Sequence, residues 1–270
     1  MIRKTAIAAA FILAAAPAAQ AMVIASQDFN SLSDAGTSNR DSVTSGSTLT
    51  NAGSRNDGGP GLDFHTTWND TRGVGVGPVT AIGDVSDLIG VNSVGSFSTT
   101  PDTASDGTIV ASGIEHNFEF NDGDGRLDLV FEALDLSGFA SRTLSLNFWI
   151  ADSPFESDDL FSVDISDGSK RVGVLLWGEA ELEGSVSADG TPSVWESLSV
   201  DLDQLILAEN LDAQSLSLII SADIDASNEN IFVDDILFEG TPAVVPVPAA
   251  AWLFGSVLAG FAFRMRRARS

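Results

Sequence analysis

Along most of this chain the apolar residues come in short bursts, mostly alternating with polar ones, and no long stretch repeats at the helical period. Residues 127–131 open one such run, residues 144–150 alternate cleanly, and residues 161–165 do the same. Further runs cover residues 172–177, 194–202, 216–220 and 231–238. Each is four to nine residues long and bounded by turn chemistry such as Asp167-Gly168 and Asp189-Gly190. Period-two patterning buries one face of a strand, and many short strands must pack sheet on sheet. An all-β sandwich or barrel follows, with room for one or two helical turns at residues 202–209. Residues 31–61 are rich in Ser, Thr, Asn and Gly with few large apolar side chains, and they read as a long loop or weakly ordered arm.

The chain has 270 residues and no cysteine, so disulfides and thiolate zinc sites are excluded and the core rests on apolar burial or an oxygen-ligated metal. Charge is uneven. Arg3, Lys4, Arg264, Arg266, Arg267 and Arg269 sit at the termini, which leaves seven of the 13 basic residues for a middle that carries all 38 Asp and Glu. Such a surface repels nucleic acid and anionic polymers and suits cations and neutral sugars.

The two ends are addresses. Met1 to Lys4 form a positive leader, residues 5–16 an apolar stretch, and Ala19-Gln20-Ala21 a small-x-small cleavage site before Met22. At the other end, Val245-Pro246-Val247-Pro248-Ala249 precedes an uncharged run that ends in Arg264, Arg266 and Arg267. The apolar stretch, about residues 248–263, forms a hydrophobic helix of marginal length for a bilayer, with basic residues that hold the C-terminus inside.

These last residues resemble the PEP-CTERM sorting signal in its VPLPA variant, with Val247 where leucine is usual. The resemblance implies a Gram-negative exporter, passage through the inner membrane, processing by an exosortase-type enzyme, and release to the envelope or matrix. Residues 1–21 are then a signal peptide, 22–240 the folded domain and 241–270 the sorting tail. Within the domain, residues 23–29, 155–163 and 228–236 resemble the calcium-containing jelly-roll sandwiches of secreted bacterial proteins, an architecture shared with many carbohydrate-binding modules. In those folds the first and last strands meet and a cation ties them together. The resemblance implies structural calcium held by Asp28, Asp159, Glu229 and Asp234. Asp235 lies on the opposite strand face from Asp234 if alternation holds.

Other motifs carry less. In Asn121-Asp122-Gly123-Asp124-Gly125-Arg126, an EF-hand register places Phe120 and Phe131 at positions that need oxygen ligands, so a hairpin turn is expected instead. Glu179, Glu181 and Glu183 alternate, which on a strand puts three carboxylates on one face near Trp177. That segment resembles the Glu-x-Asp-x-Glu signature of jelly-roll glucanases, with Glu181 in place of aspartate, and implies retaining glycoside hydrolysis by Glu179 and Glu183. A solvated acidic strand face explains the same residues. Residues 90–95 lack the spacing of a nucleophile elbow, and His65 and His116 each lack a second local metal ligand. Trp68, Trp149, Trp177 and Trp195 are expected to pack in the core or at its edge. The expectation is a non-enzymatic protein of the cell surface or biofilm matrix, with neutral or cation-bridged polysaccharide as its ligand. A glycosidase and a purely structural adhesive component are the alternatives.

Overall fold

The computed structural model describes residues 20–30, 35–38, 47–48, 61–69, 88–93, 116–121, 125–151, 154–185, 195–224, 226 and 229–243. The elements in chain order are β1 Met22–Gln27, β2 Ala35–Ser38, β3 Ser47–Thr48, β4 Phe64–Asn69, β5 Leu88–Ser93, β6 His116–Asn121, β7 Gly125–Phe131, β8 Phe139–Ala151, β9 Leu160–Ser166, β10 Arg171–Gly178, α1 Glu179–Ser185, β11 Glu196–Asp201, α2 Leu202–Glu209, β12 Ser217–Ile224 and β13 Asn230–Pro242. Ala21–Thr241 forms one compact unit. The leader up to Ala19, the motif Val245 to Ala249, residues 248–263 and the terminal arginines lie outside the described residues. Ala21 is exposed immediately before β1.

Two antiparallel sheets make a β-sandwich. One has the order β11-β8-β13-β6-β5-β2, with β1 also paired to β13, and the other has the order β10-β9-β12-β7-β4-β3. The long strand β13 pairs through residues 230–233 with β6 and through residues 236–240 with β1, so the first and last strands meet. From β6 onward the chain repeatedly changes sheet, and alternate residues of each strand point between the layers. That inner face is apolar: Leu127, Leu129 and Phe131 on β7, Leu144, Leu146, Phe148 and Ile150 on β8, and Phe161, Val163 and Ile165 on β9 are all buried.

Aromatic rings join the layers. Phe118 of one sheet lies 6.1 Å from Phe64 of the other, at 90°. Phe29, just past β1, meets Phe64 at 5.5 Å and Phe118 at 6.0 Å. Phe29 has a φ of 55°, a conformation that side chains disfavour. Full burial and the Gln27 side chain hold it there. Gln27 Oε1 accepts the Phe29 N–H at 2.8 Å, and its Nε2 donates to the Leu62 carbonyl at 2.9 Å.

The outer face of the second sheet carries a polar network. Arg171 Nη2 reaches Asp164 at 2.6 Å and donates to Ser221 Oγ at 2.8 Å. Arg126 pairs with Asp128 at 3.1 Å and donates to the same Ser221. Arg142 pairs with Asp203 and Lys170 with Glu209. Every basic side chain among the described residues is therefore neutralised by a carboxylate, and the remaining acids set the surface charge.

Local signals set the helix ends. Asp201 caps α2 by accepting the Gln204 N–H at 3.0 Å, and Asn210 closes it at φ 52°. Removing that cap in Asp201→Ala is expected to cost about 1 kcal/mol in denaturant unfolding.

Three expectations change. The hairpin expected at residues 121–126 is not made, because β6 and β7 belong to different sheets. The stretch 31–61 contains β2 and β3, which pair with β5 and β4 at the sheet edges. Short polar strands at an edge lack the apolar alternation that marks a strand in sequence. Residues 179–183 form the start of α1, not a strand. Glu, Ala and Leu are strong helix formers and no β-branched residue interrupts them, so propensity was the better guide there than alternation.

Candidate metal centre

Two loops approach each other at one end of the sandwich, one between β8 and β9 and the other between β12 and β13. In the first, Phe155 is buried in the core and anchors the acidic turn. Its N–H donates to Glu183 Oε1 of α1 at 2.5 Å, and α1 is itself fixed by the fully buried Leu182. The turn closes when the Asp159 N–H donates to the Glu156 carbonyl at 3.1 Å, while the Asp159 carboxylate accepts the Glu156 N–H. In the second loop, the Glu229 N–H donates to the Ala226 carbonyl at 2.9 Å, and Glu229 Oε2 accepts the Ala226 N–H at 3.1 Å. Asn121 of β6 donates from Nδ2 to the Glu229 carbonyl at 2.9 Å and to Asn230 Oδ1 at 2.8 Å, which ties this loop to the neighbouring strand.

The result is three carboxylates, Glu156, Asp159 and Glu229, each with an oxygen within 4.8 Å of the others. Glu156 is exposed, whereas Asp159 and Glu229 are buried. Two oxygens bound to one calcium, each at about 2.3–2.6 Å, lie within about 5 Å of each other, so the spacing fits that ion. The donor set is all oxygen, as a hard cation requires. In the absence of a cation the cluster must hold a proton. Burial pushes the Glu229 carboxyl up to about 9, helped by its hydrogen bond with Glu156 and the charge of Asp159, with the Ala226 N–H opposing.

Of the residues expected to bind calcium, Asp159 and Glu229 come together here. Asp28 lies elsewhere, exposed, its Oδ1 accepting the Asn30 N–H at 3.1 Å. Asp234 is buried within β13, and its Oδ1 accepts the Asp235 N–H at 2.7 Å. Alternation fails at this pair. Asp235 has a φ of 51°, and its Oδ2 accepts from Asn147, whose neighbours Leu146 and Phe148 point to the core. Asp235 therefore lies on the outer face, where alternation from Val233 also puts Asp234, and the two do not point to opposite sides. Glu156 was missed as a ligand. Its signal was the Glu-x-x-Asp spacing beside Phe155, an apolar residue in an acidic loop.

The three glutamates of α1 lack the strand geometry expected of them. Glu183 accepts from Phe155, and Glu181 accepts the Gly178 N–H at 3.2 Å. Trp177 packs edge-on against Phe148 at 5.0 Å. His65 is exposed on β4, and His116 opens β6, where its N–H donates to Asn30 Oδ1 at 2.8 Å.

No protein-family model matches the chain, and no curated protein matches it. Among solved structures it is similar to a carbohydrate-binding module specific for non-crystalline cellulose, at 16% identity over 49% of this chain and 79% of that one, with a TM-score of 0.33. It is also similar to the K1 adhesin domain of Lys-gingipain from Porphyromonas gingivalis W83, at 13% identity over 81% and 97%, TM-score 0.38. A third is the Stig cyclase Fisc from Fischerella sp. TAU, at 13% identity over 67% and 86%, TM-score 0.36. The likeness is one of β-sandwich architecture alone.

Proposed function

We propose that this chain is an exported, non-enzymatic β-sandwich of the Gram-negative cell surface or biofilm matrix, braced by calcium and serving as a receptor for neutral polysaccharide. The observation that carries the reading is the meeting of Glu156, Asp159 and Glu229 from two loops within 4.8 Å. Three carboxylates alone make a weak site, of the 10⁻⁴–10⁻³ M class that works where calcium is abundant, outside the cell. The sequence supports the same location through the leader before Met22, the Val245 to Ala249 motif with its arginines, the absence of cysteine and the acidic middle. A jelly-roll connectivity suits the repeated crossing between sheets, and calcium takes the place of the proton on Glu229.

In a host that carries an exosortase-type enzyme, the mature chain is expected to start at Met22 and to be open to protease added outside the inner membrane. N-terminal sequencing and protease treatment of intact spheroplasts check this. Recovery of a chain that retains Met1 and is protected in the cytoplasm would overturn the reading.

A further inference from the structure

A second buried cluster lies outside the sandwich core, on the outer face of the larger sheet. Trp149 of β8 stacks on Phe232 of β13 at 5.0 Å and 21°, and Trp195, just before β11, leans on Trp149 at 6.1 Å. Strand register extends this face. Phe232 is opposite Glu119 of β6, and Glu119 is opposite Gly90 of β5, which adds no side chain over the sheet. Asn117, two residues along β6, shares the face with Glu119.

The polar atoms of this cluster are unusual. Trp149 is 1% exposed and Asn117 is 2% exposed, yet Trp149 Nε1 and Asn117 Oδ1 have no hydrogen-bond partner among protein atoms. Trp195 Nε1 is likewise unpartnered. Buried polar groups are nearly always paired, because leaving one without a partner forfeits its hydration for nothing. Two N–H donors at the rings and one carbonyl acceptor on the next strand of the same face describe a complementary molecule. It must offer acceptors to the indoles, a donor to the amide and a C–H face to the half-buried ring of Trp195.

We propose that Trp149, Trp195 and Asn117 form a binding site for a neutral saccharide on the outer face of the larger sheet. Sugar hydroxyls both donate and accept, and pyranose faces stack on aromatic rings. An anionic sugar is disfavoured because each described basic side chain is already paired and the surroundings are acidic. Glu119 agrees with a neutral ligand. Burial pushes its carboxyl up to about 8, so near neutral pH it is mostly uncharged and can donate or accept. Trp195 is the half-buried member of the stack, so its ring is the part of the cluster that solvent reaches. The inference rests on the proposed polysaccharide ligand and gives it a site.

Titrating the full chain with cellohexaose, mannohexaose and maltohexaose, followed by tryptophan emission and calorimetry, tests it. Saturable binding of at least one is expected, weakened about tenfold or more in Trp149→Phe, which loses the indole N–H, and in Asn117→Ala, which loses the whole amide. Leu207→Ala, at a residue 80% exposed on α2, is the control and should bind as the parent does. Trp149→Phe keeps the apolar filling, and a melting curve shows that each variant is folded. Binding that survives both substitutions would overturn this site and leave the polysaccharide reading intact. Failure of the folded parent chain to bind any of the three would overturn both.

Discussion

Adding calcium to the cation-free chain at pH 8.5 is expected to raise its melting temperature by about 5–10 °C, with less than half that gain at pH 6. The size follows from linkage. Calcium at about 10 mM, a hundredfold excess over a dissociation constant of about 10⁻⁴ M, adds about 2.7 kcal/mol, and a domain of this length gains about 2–4 °C per kcal/mol. The pH dependence follows from Glu229. Its carboxyl titrates near 9 in the folded chain against 4.5 as the ordinary value. Between those limits the folded state holds a proton that the unfolded state has released, so cation-free stability falls as pH rises. Below about 4.5 the contribution is fully present and independent of pH, and above about 9 its loss is complete.

Calcium must displace that proton, so it binds better as pH rises and restores what deprotonation removes. Glu119, pushed up to about 8 by burial, adds its own fall with pH, but calcium does not touch it. The calcium-loaded chain therefore keeps a shallower slope that Glu119→Gln should flatten. Glu229→Gln imitates the protonated acid. It should keep the cation-free stability at high pH and abolish the calcium response. Scanning calorimetry with about 10 mM calcium or with excess chelator measures all four arms. No calcium response at pH 8.5 would leave the three carboxylates as a proton-sharing cluster.

Replacing Phe118 with alanine is expected to destabilise the sandwich by about 3–5 kcal/mol, which lowers the melting temperature by roughly 6–20 °C. Phe118 is fully buried and its ring meets Phe29, Phe64 and Phe120 at 6.0, 6.1 and 5.0 Å. It joins the two layers and also holds the strained turn at Phe29. A cavity there cannot collapse easily, because its walls belong to strands fixed by ladder hydrogen bonds on β4, β5 and β13. A urea titration should show a lower midpoint with an unchanged slope, while Leu207→Ala stays within about 0.5 kcal/mol. A loss below 1 kcal/mol for Phe118→Ala would mean that the layers are held together elsewhere.

Much of the sandwich was legible because strand patterning is local. Residues 144–150 bury every second side chain, and that spacing follows from the pleat whatever strand lies beside it. At residues 202–209 the sequence left room for one or two helical turns, and the structure adds the Asp201 cap that starts the helix. Where two local signals conflicted, as in Glu179 to Glu183, alternation suggested a strand and propensity a helix. The docking of Leu182 into the core accompanies the helical outcome. The left-handed backbone at Asp235 was not legible, because it falls where β13 changes partner from β6 to β1.

The candidate sites divide in the same way. Residue content and order alone determined that this chain has no thiolate chemistry, carries its acids between two basic ends and alternates like a sheet. Only the tertiary structure brought the loop of Glu156 and Asp159 to Glu229, some seventy residues away. Likewise, only it put Trp149, Phe232 and Trp195 into one stack on an outer face. Contacts of that kind depend on which strands are neighbours, and hydrophobic alternation is identical for every order in which the strands could pair. Sequence periodicity therefore defines the layers, and the crossings between them decide which side chains meet.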